Sequence, residues 1–176
     1  MVTLLNECQK LKITIHPSDV NESDINFKAV DEKTISFGLN AIKNVGSKAL
    51  KNILSVRDEQ DHFNTLFDFC EHLDLRIVNK KVLESLVAAG AMDSLEGNRA
   101  QQYAAVESAL KFTQQMQANA NDNQFSMFGS ETSESQIIVK PTLPEVSDWS
   151  ETEKLNREKE LMGFYLTGHP LLEYAD

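Results

Sequence analysis

The residues best suited to bind a ligand lie at 39–57, where lysines surround a turn between two apolar repeats. Apolar residues at helical spacing form two sets, Leu39, Ile42 and Val45, then Ala49, Leu50, Ile53 and Leu54. Between the sets, Gly46 can adopt positive φ at little cost, and Asn44 is among the few other residues that tolerate it. The pattern predicts two helices joined by a tight turn. Its unpaired N–H groups at 45–48 and the helix dipole would favour a phosphate oxygen.

The charge distribution around this turn supports the same chemistry. The net charge of the 176-residue chain is −10, which by itself argues against binding to nucleic acid. However, a basic island formed by Lys33, Lys43, Lys48, Lys51 and Arg57 has no acidic residue between its ends. Such a local excess is a signal for nucleic acid. A solvated lysine face on an ordinary helical hairpin explains the same charges and stays an alternative.

The pattern is typical of a helix-hairpin-helix motif that binds duplex DNA. Contacts to phosphates touch no base edges, so binding is expected to be independent of DNA sequence. The predicted DNA-binding residues are Lys43, Asn44, Val45, Gly46, Ser47, Lys48 and Lys51. Residues 73–95 resemble a second, degenerate hairpin with Lys80 and Lys81 near a helix start. For this second copy, a packing role is favoured over DNA contact.

Capping signals and periodicity place the other elements. A helix is expected over 3–12, a loop over 16–24, and two short strands over 25–30 and 34–39. Thr65, Asn79, Asn98 and Ser150 are predicted helix N-caps, and Gly90 is predicted to end a helix in the left-handed conformation. The helix that starts near Asn98 is expected to end about Gln117. A strand and turn are expected over 163–171.

The predicted fold is mainly α: a tandem helix-hairpin-helix domain, with a short β-hairpin before it and a disordered linker after it. The expected boundaries are 1–35 for the β-hairpin region, 36–117 for the tandem domain, 118–149 for the linker and 150–176 for a helix and strand leading into another domain. The linker prediction rests on the Asn-, Ser- and Glu-rich composition of 118–149 and on its two prolines.

Several functional classes find no support in the sequence. The two cysteines, Cys8 and Cys70, are far apart, so we expect neither a disulfide nor a zinc site. The four histidines form no ligand set, and no metal site is expected. No apolar run approaches the length of a bilayer span, and the first residues are too short and too charged for a signal peptide. The cytoplasm is the expected compartment, with no membrane partner.

One segment of the predicted linker differs from its surroundings. Residues 124–129, with the sequence QFSMFG, place Phe125, Met127 and Phe128 between polar flanks. A short apolar anchor in a disordered tether can present itself to a pocket on a partner. Alternatively, Phe125 and Phe128 fold back onto helices of this chain.

Four stretches, in this order, closely resemble the alpha subunits of bacterial DNA polymerase III, the C-family replicative polymerases. These are HPSDVNES (16–23), FGLNAIKNVGSKAL (37–50), residues 67–95, and EKELMGFYLTGHPL (158–171). The resemblance covers most of the chain outside the linker. It implies a segment that runs from the end of the fingers region, through the tandem helix-hairpin-helix, to the edge of the OB domain.

The resemblance also implies partners and a division of labour. Template-directed DNA synthesis would belong to the parent chain, whose palm carries an Asp pair with two magnesium ions, and no Asp-x-Asp occurs in this sequence. We therefore expect no catalytic residue and no cofactor in this segment. The family's internal clamp-binding peptide maps onto Gln124, Ser126, Met127 and Phe128, which implies the sliding clamp (beta subunit) as partner. Other replicase subunits would be reached through the parent chain. The rival reading is a non-catalytic helix-hairpin-helix adaptor protein.

Overall fold

The structure is a computed structural model that describes residues 7–8, 10–126 and 139–165, with only the backbone described over 121–126. Within these residues, three short strands precede a single-turn 3₁₀ helix and five α-helices. The strands are β1 (Thr14–His16), β2 (Lys28–Asp31) and β3 (Thr34–Ser36), and the 3₁₀ helix is Leu39–Ala41. The helices are α1 (Ser47–Gln60), α2 (Leu66–Glu71), α3 (Lys80–Ala88), α4 (Arg99–Ser126) and α5 (Glu151–Met162). The predicted mainly α class is confirmed.

The small sheet has β3 at its centre. Strands β2 and β3 pair antiparallel, as the predicted β-hairpin requires, with a register shift between Ala29 and Asp31. Strand β1 pairs parallel to β3 and places Ile15 opposite Ile35. The sequence analysis did not predict β1, because a three-residue strand next to a turn-rich loop carries too short a pattern to recognise.

The helices begin where the capping residues stand. Thr65, Asn79 and Ser150 each accept a hydrogen bond from the backbone N–H three residues later, at 3.1, 3.2 and 3.2 Å. Asn98 and Gln101 form a reciprocal pair: Asn98 Oδ1 accepts the Gln101 N–H at 2.9 Å, and Gln101 Oε1 accepts the Asn98 N–H at 3.0 Å. These bonds satisfy N–H groups that a helix start leaves without an intrahelical partner. All four predicted caps are confirmed.

Helix α3 ends in the predicted left-handed cap. Gly90 has a φ of +82°. The N–H of Ala91 donates to Leu86 O, and the N–H of Gly90 donates to Val87 O, both at 3.0 Å. These two hydrogen bonds form the Schellman motif, which gives the last carbonyls of a helix a hydrogen-bond partner.

The core lies where α2 and α3 pack against α4. Phe67 of α2 meets Phe112 of α4 edge to face, with 6.2 Å between ring centroids. Fully buried side chains near this centre include Phe63, Phe69, Leu73, Leu83, Leu86 and Met92. Helix α5 joins the same core through the buried Met162. Phe164 follows and contacts Phe37, with 5.4 Å between ring centroids.

Two parts of the predicted linker differ from expectation. Helix α4 runs to Ser126, beyond the predicted end near Gln117. No Gly or Pro stands between Gly97 and Gly129, so nothing interrupts the addition of one hydrogen bond per residue.

Residues 139–149 have no regular secondary structure but lie against the helices, where disorder was predicted. The Lys140 ammonium pairs with Asp68 on α2. The carbonyl of Pro144 accepts a bond of 3.1 Å from Gln101 Nε2, and the Trp149 ring packs on Tyr103 at 5.3 Å. Much of this attachment uses backbone groups, which composition does not reveal. We call residues 139–149 the strap.

Candidate phosphate-binding hairpin

The turn of the first hairpin adopts the left-handed conformation at one residue, and that residue is Asn44. Asn44 has a φ of +69°, whereas Gly46 has an ordinary φ of −76°. Of the two residues that the sequence offered for positive φ, Asn44 adopts it and Gly46 does not. Asn44 tolerates the conformation, and its Nδ2 donates to Ser85 Oγ on α3 at 3.1 Å. The turn is thus tied to the second hairpin.

Gly46 is the N-cap of α1, and nothing in the described chain requires a glycine there. A Cβ built on Gly46 would meet no atom within 4 Å. Its φ of −76° is available to any residue. The space beside Gly46 is open toward solvent, so a group from outside the chain can approach this backbone closely.

The start of α1, unlike the starts of the other α-helices, has no side-chain cap. No side chain accepts a hydrogen bond at the α1 cap, and its first turn contains no acidic residue. Gly46, Ser47 and Lys48 are exposed, while Val45 points into the core. The start of α1 therefore presents the positive end of the helix dipole to solvent without a side-chain acceptor. An anion is the complementary ligand.

The predicted basic island divides into residues that face solvent and residues that hold the fold. Lys48 and Lys51 are exposed, and no carboxylate among the described residues forms an ion pair with either. Lys43 is exposed as well, but its Nζ donates to the Glu160 carbonyl at 2.9 Å and its N–H donates to the Leu161 carbonyl at 2.9 Å. It therefore caps the end of α5.

Arg57 is a structural member of the island. Its Nη1 donates to the carbonyls of Ser23, at 2.7 Å, and Val20, at 3.3 Å. Only 14% of its side chain is exposed. Arg57 holds the loop before β2 onto α1, so it is not available to a ligand.

The second hairpin, formed by α2 and α3, differs at its helix start. The Asn79 side chain occupies the cap of α3. Lys80 lies 3.9 Å from Glu84 and 3.6 Å from Glu107, while Lys81 is exposed. This helix start already has an acceptor of its own, which agrees with the favoured packing role for the second copy.

Two hydrogen bonds join the two hairpins, one from each turn. Asn44, in the first turn, contacts Ser85, the sixth residue of α3. The N–H of Asp74, in the connection between α2 and α3, donates to Oδ1 of Asn52, the sixth residue of α1, at 3.0 Å. Each hairpin turn is therefore hydrogen-bonded to the sixth residue of the second helix in the other hairpin. Sequence reasoning missed these bonds, since neither partner carries a local signal.

A buried ion cluster joins the start of α4 to α5. Arg99 Nη1 donates to Glu158 at 2.8 Å, and Arg99 Nε and Nη2 donate to the two oxygens of Asp93 at 2.8 and 2.6 Å. Glu158 is fully buried. Burial lowers the pKa of Arg99, but the bonds and charges of Asp93 and Glu158 outweigh it and raise this pKa above its ordinary value. The cluster stabilises the position of α5 beside the hairpins.

The described residues offer no candidate metal centre, and Cys70 is not a reactive thiol. No group of three His, Cys, Asp or Glu among them is placed to hold a metal ion. Burial raises the pKa of the Cys70 thiol to about 12, so it carries no nucleophilic thiolate near neutral pH. Along the same residues, no helix has the length and apolar character needed to cross a membrane.

The predicted clamp-binding residues are only partly described. Gln124 and Ser126 fall in the last turn of α4, where the backbone alone is described. Met127 and Phe128 lie outside the described residues. The predicted clamp contact therefore stays a prediction.

Comparison with known proteins identifies relatives along the whole chain. A family model described as a helix-hairpin-helix motif matches residues 12–102. The chain is 38% identical over 174 residues to DNA polymerase III subunit alpha of Vibrio cholerae and 37% identical over 189 residues to that of Pseudomonas aeruginosa. It is 38% identical over 170 residues to that of Thermus aquaticus.

These alignments cover nearly all of this chain and a small part of each relative. They include 99%, 99% and 97% of this chain, and 15%, 16% and 13% of the respective relatives. The chain thus spans about 15% of the length of the curated relatives it matches. The resemblance to polymerase III alpha subunits that the sequence motifs indicated is confirmed.

Proposed function

Because this chain belongs to the helix-hairpin-helix family, we propose that it is a duplex-DNA-binding segment of the catalytic subunit of a bacterial replicative DNA polymerase. The observation that carries the proposal is the start of α1. It is exposed, lacks a side-chain cap and begins at a glycine with open space beside it. The alpha-subunit relatives supply the polymerase context.

In this proposal a DNA phosphate takes the place of the missing cap. Its oxygens accept hydrogen bonds from the N–H groups at the start of α1, and the glycine at 46 permits close approach. Lys48 and Lys51 add charge on the same exposed part of the helix, and Lys43 lies across the turn. Asn44 shapes the turn, and Val45 anchors it in the core. Such contacts hold the DNA backbone and leave the bases unread.

DNA synthesis itself is proposed for the whole protein. The family's reaction needs carboxylates that hold magnesium, and no described group of His, Cys, Asp or Glu fits a metal ion. We therefore assign no catalytic step to this segment. Its contribution is to hold duplex DNA, so that the parent polymerase stays on the product between additions.

A second element of the proposal is a contact with the sliding clamp through Gln124, Ser126, Met127 and Phe128. Burying Met127 and Phe128 would contribute roughly 3–6 kcal/mol. Ordering the peptide offsets several kcal/mol of this, which gives an affinity on the order of micromolar. Two weak contacts in one chain make rebinding intramolecular, so both together would retain the polymerase on DNA.

The DNA contact is tested by the salt dependence of binding to a labelled duplex. Each lost phosphate contact removes about 0.9 from the slope of log K against log salt. We expect the Lys48→Ala, Lys51→Ala double variant to lower the slope by about 1.8, twice the single-contact value. Lys43→Ala is expected to lower it less, because the Lys43 ammonium already bonds to Glu160 O. An unchanged slope in the double variant would mean that these lysines are only a solvated face.

The clamp contact is tested separately by calorimetric titration of the chain into the clamp of the same organism. We expect micromolar binding that disappears when Gln124, Met127 and Phe128 are all changed to Ala. Equal binding by the variant, or no binding by either protein, contradicts this element and leaves the DNA contact untouched.

A further inference from the structure

The connection between α2 and α3 is fixed on two sides, although it has no regular secondary structure at 72–74. Its Asp74 N–H donates to Asn52 Oδ1 on α1 at 3.0 Å. Its Leu73 carbonyl accepts a bond of 3.2 Å from Gln117 Nε2 on α4. The connection is therefore held at a defined place beside α1.

The Arg76 side chain projects from this connection into solvent, and hydrogen bonds to Asp74 fix its orientation. Its side chain is 90% exposed. Asp74 Oδ1 accepts the Arg76 N–H and Nε–H, both at 3.0 Å, and Asp74 Oδ2 accepts Nη2–H at 2.9 Å. The first of these bonds is an Asx turn, which shapes the backbone from the side chain. The guanidinium is thus pre-oriented, and Nη1 makes none of these bonds.

The part of α1 that touches this connection is the part that carries the free lysines. Asn52 lies four residues after Lys48 and one after Lys51 on α1. Side chains four apart on a helix are neighbours, about 5–6 Å between Cβ atoms. The Asn52–Asp74 bond therefore places the turn that carries Arg76 beside the segment of α1 that carries Lys48 and Lys51. Asn52, Asp74 and Arg76 line the same surface pocket.

We propose that Arg76 is a further phosphate-contacting residue, so that this segment grips the DNA backbone with both hairpins. The second hairpin contacts DNA through a side chain held by its connecting turn, since its helix start is closed by Asn79. Asp74 has two opposing roles: it orients the guanidinium and it neutralises part of its charge. The inference rests on the proposed function and adds a second, separable contact to it.

Two substitutions are expected to change affinity in opposite directions. Arg76→Ala removes the cation and is expected to weaken duplex binding roughly two- to fivefold, the range for one exposed charge contact. It should also lower the salt slope by about 0.9. Asp74→Asn keeps an oxygen that can accept the Arg76 N–H but removes the negative charge. It should tighten binding by a similar factor.

The matched control removes a cation elsewhere. Lys28→Ala, on β2, deletes a residue that is 65% exposed and paired with Asp24 near the far end of α1. It should leave the salt slope unchanged. Urea unfolding of each variant shows whether the fold is retained, and Arg76→Lys, which restores the charge, should recover most of the affinity.

The outcomes separate this inference from the proposed function. Opposite changes in Arg76→Ala and Asp74→Asn, with a flat control, support it. Suppose that the Lys48→Ala, Lys51→Ala variant still lowers the slope but the Arg76, Asp74 and Lys28 variants give any other set of affinity changes. The Arg76 contact is then overturned, and the first hairpin remains the proposed DNA site. An unchanged slope in all variants overturns both.

Discussion

Asn44 illustrates how a side chain replaces a glycine in a left-handed turn. Asparagine tolerates a φ of +69°, and the bond from its Nδ2 to Ser85 stabilises the turn further. The neighbouring Gly46 has neither positive φ nor a crowded surrounding. The two positions therefore have different roles: Asn44 sets the shape of the turn, and Gly46 keeps its outer surface open.

At the residue scale, Gly90→Ala is expected to destabilise the fold by about 2 kcal/mol or more. Alanine is strained at a φ of +82°, and its Cβ would lie 2.3 Å from Arg99 Nη2. The clash disturbs the Arg99 ion cluster as well as the helix end. Gly46→Ala is the control, because its Cβ meets nothing and its φ is ordinary. Urea denaturation measures both, and equal losses would contradict this account of Gly90.

At the element scale, α5 packs beside the hairpins through one polar and one apolar attachment. Glu158 pairs with Arg99, and Leu155 and Met162 are buried. The end of α5 is capped by Lys43, which belongs to the first hairpin. The position of the first hairpin's turn therefore depends on α5, which lies more than a hundred residues later in the sequence.

Glu158→Ala is expected to lower the free energy of unfolding by about 3 kcal/mol, because it leaves the buried Arg99 without one of its two partners. Asn156→Ala, at an exposed position of α5, should change stability by less than about 0.5 kcal/mol. Hydrogen exchange at Lys43, whose N–H bonds to Leu161 O, should accelerate only in the Glu158 variant. Unchanged exchange there would show that α5 does not support the turn.

At the scale of the whole molecule, the strap is held near each end by an aspartate–lysine pair. Partial burial raises the pKa of Asp68, but the hydrogen bonds from Lys140 and Thr65 and the Lys140 charge outweigh it and hold this pKa below its ordinary value. Burial likewise raises the pKa of Asp148, but the hydrogen bonds from Lys154 and the Trp149 N–H and the Lys154 charge outweigh it and hold this pKa below its ordinary value. Both aspartates are therefore more readily charged in the folded chain.

The pH dependence follows from the sign of these shifts. A lowered folded-state pKa contributes stability above the unfolded pKa, near 3.8 for Asp, and this contribution is lost as the pH falls through the folded pKa. Asp68→Asn should therefore destabilise the chain at pH 7 but reduce the further loss on going to pH 3. Urea midpoints at both pH values test this, with Asp58→Asn, at an exposed site on α1, as control. An equal acid-induced loss in wild type and Asp68→Asn would contradict it.

Local features of the fold could be predicted from the sequence, and long-range ones could not. The caps at Thr65, Asn79 and Ser150 and the turn at Gly90 each depend on residues within a few positions. The Arg99–Glu158 pair joins residues 59 apart, and neither has a recognisable pattern around it. The strap was predicted to be disordered because its polar composition hides backbone contacts.

The same distinction applies to the candidate site. The predicted turn, its exposed helix start and Lys48 and Lys51 are all present, because they depend on the local hairpin sequence. The structural roles of Arg57 and Lys43, by contrast, arise from Ser23 and Glu160, which no spacing rule connects to the hairpin.

The most direct test is duplex DNA binding by Gly46→Ser. Serine is a good N-cap, so α1 should be as stable as before or more so. Its side chain, however, would fill the space beside the backbone and occupy the N–H groups proposed for the phosphate. We predict at least tenfold weaker binding, a loss of about 1.4 kcal/mol, with an unchanged or raised urea midpoint. Wild-type affinity in a stably folded Gly46→Ser chain would contradict the claim that the start of α1 holds a DNA phosphate.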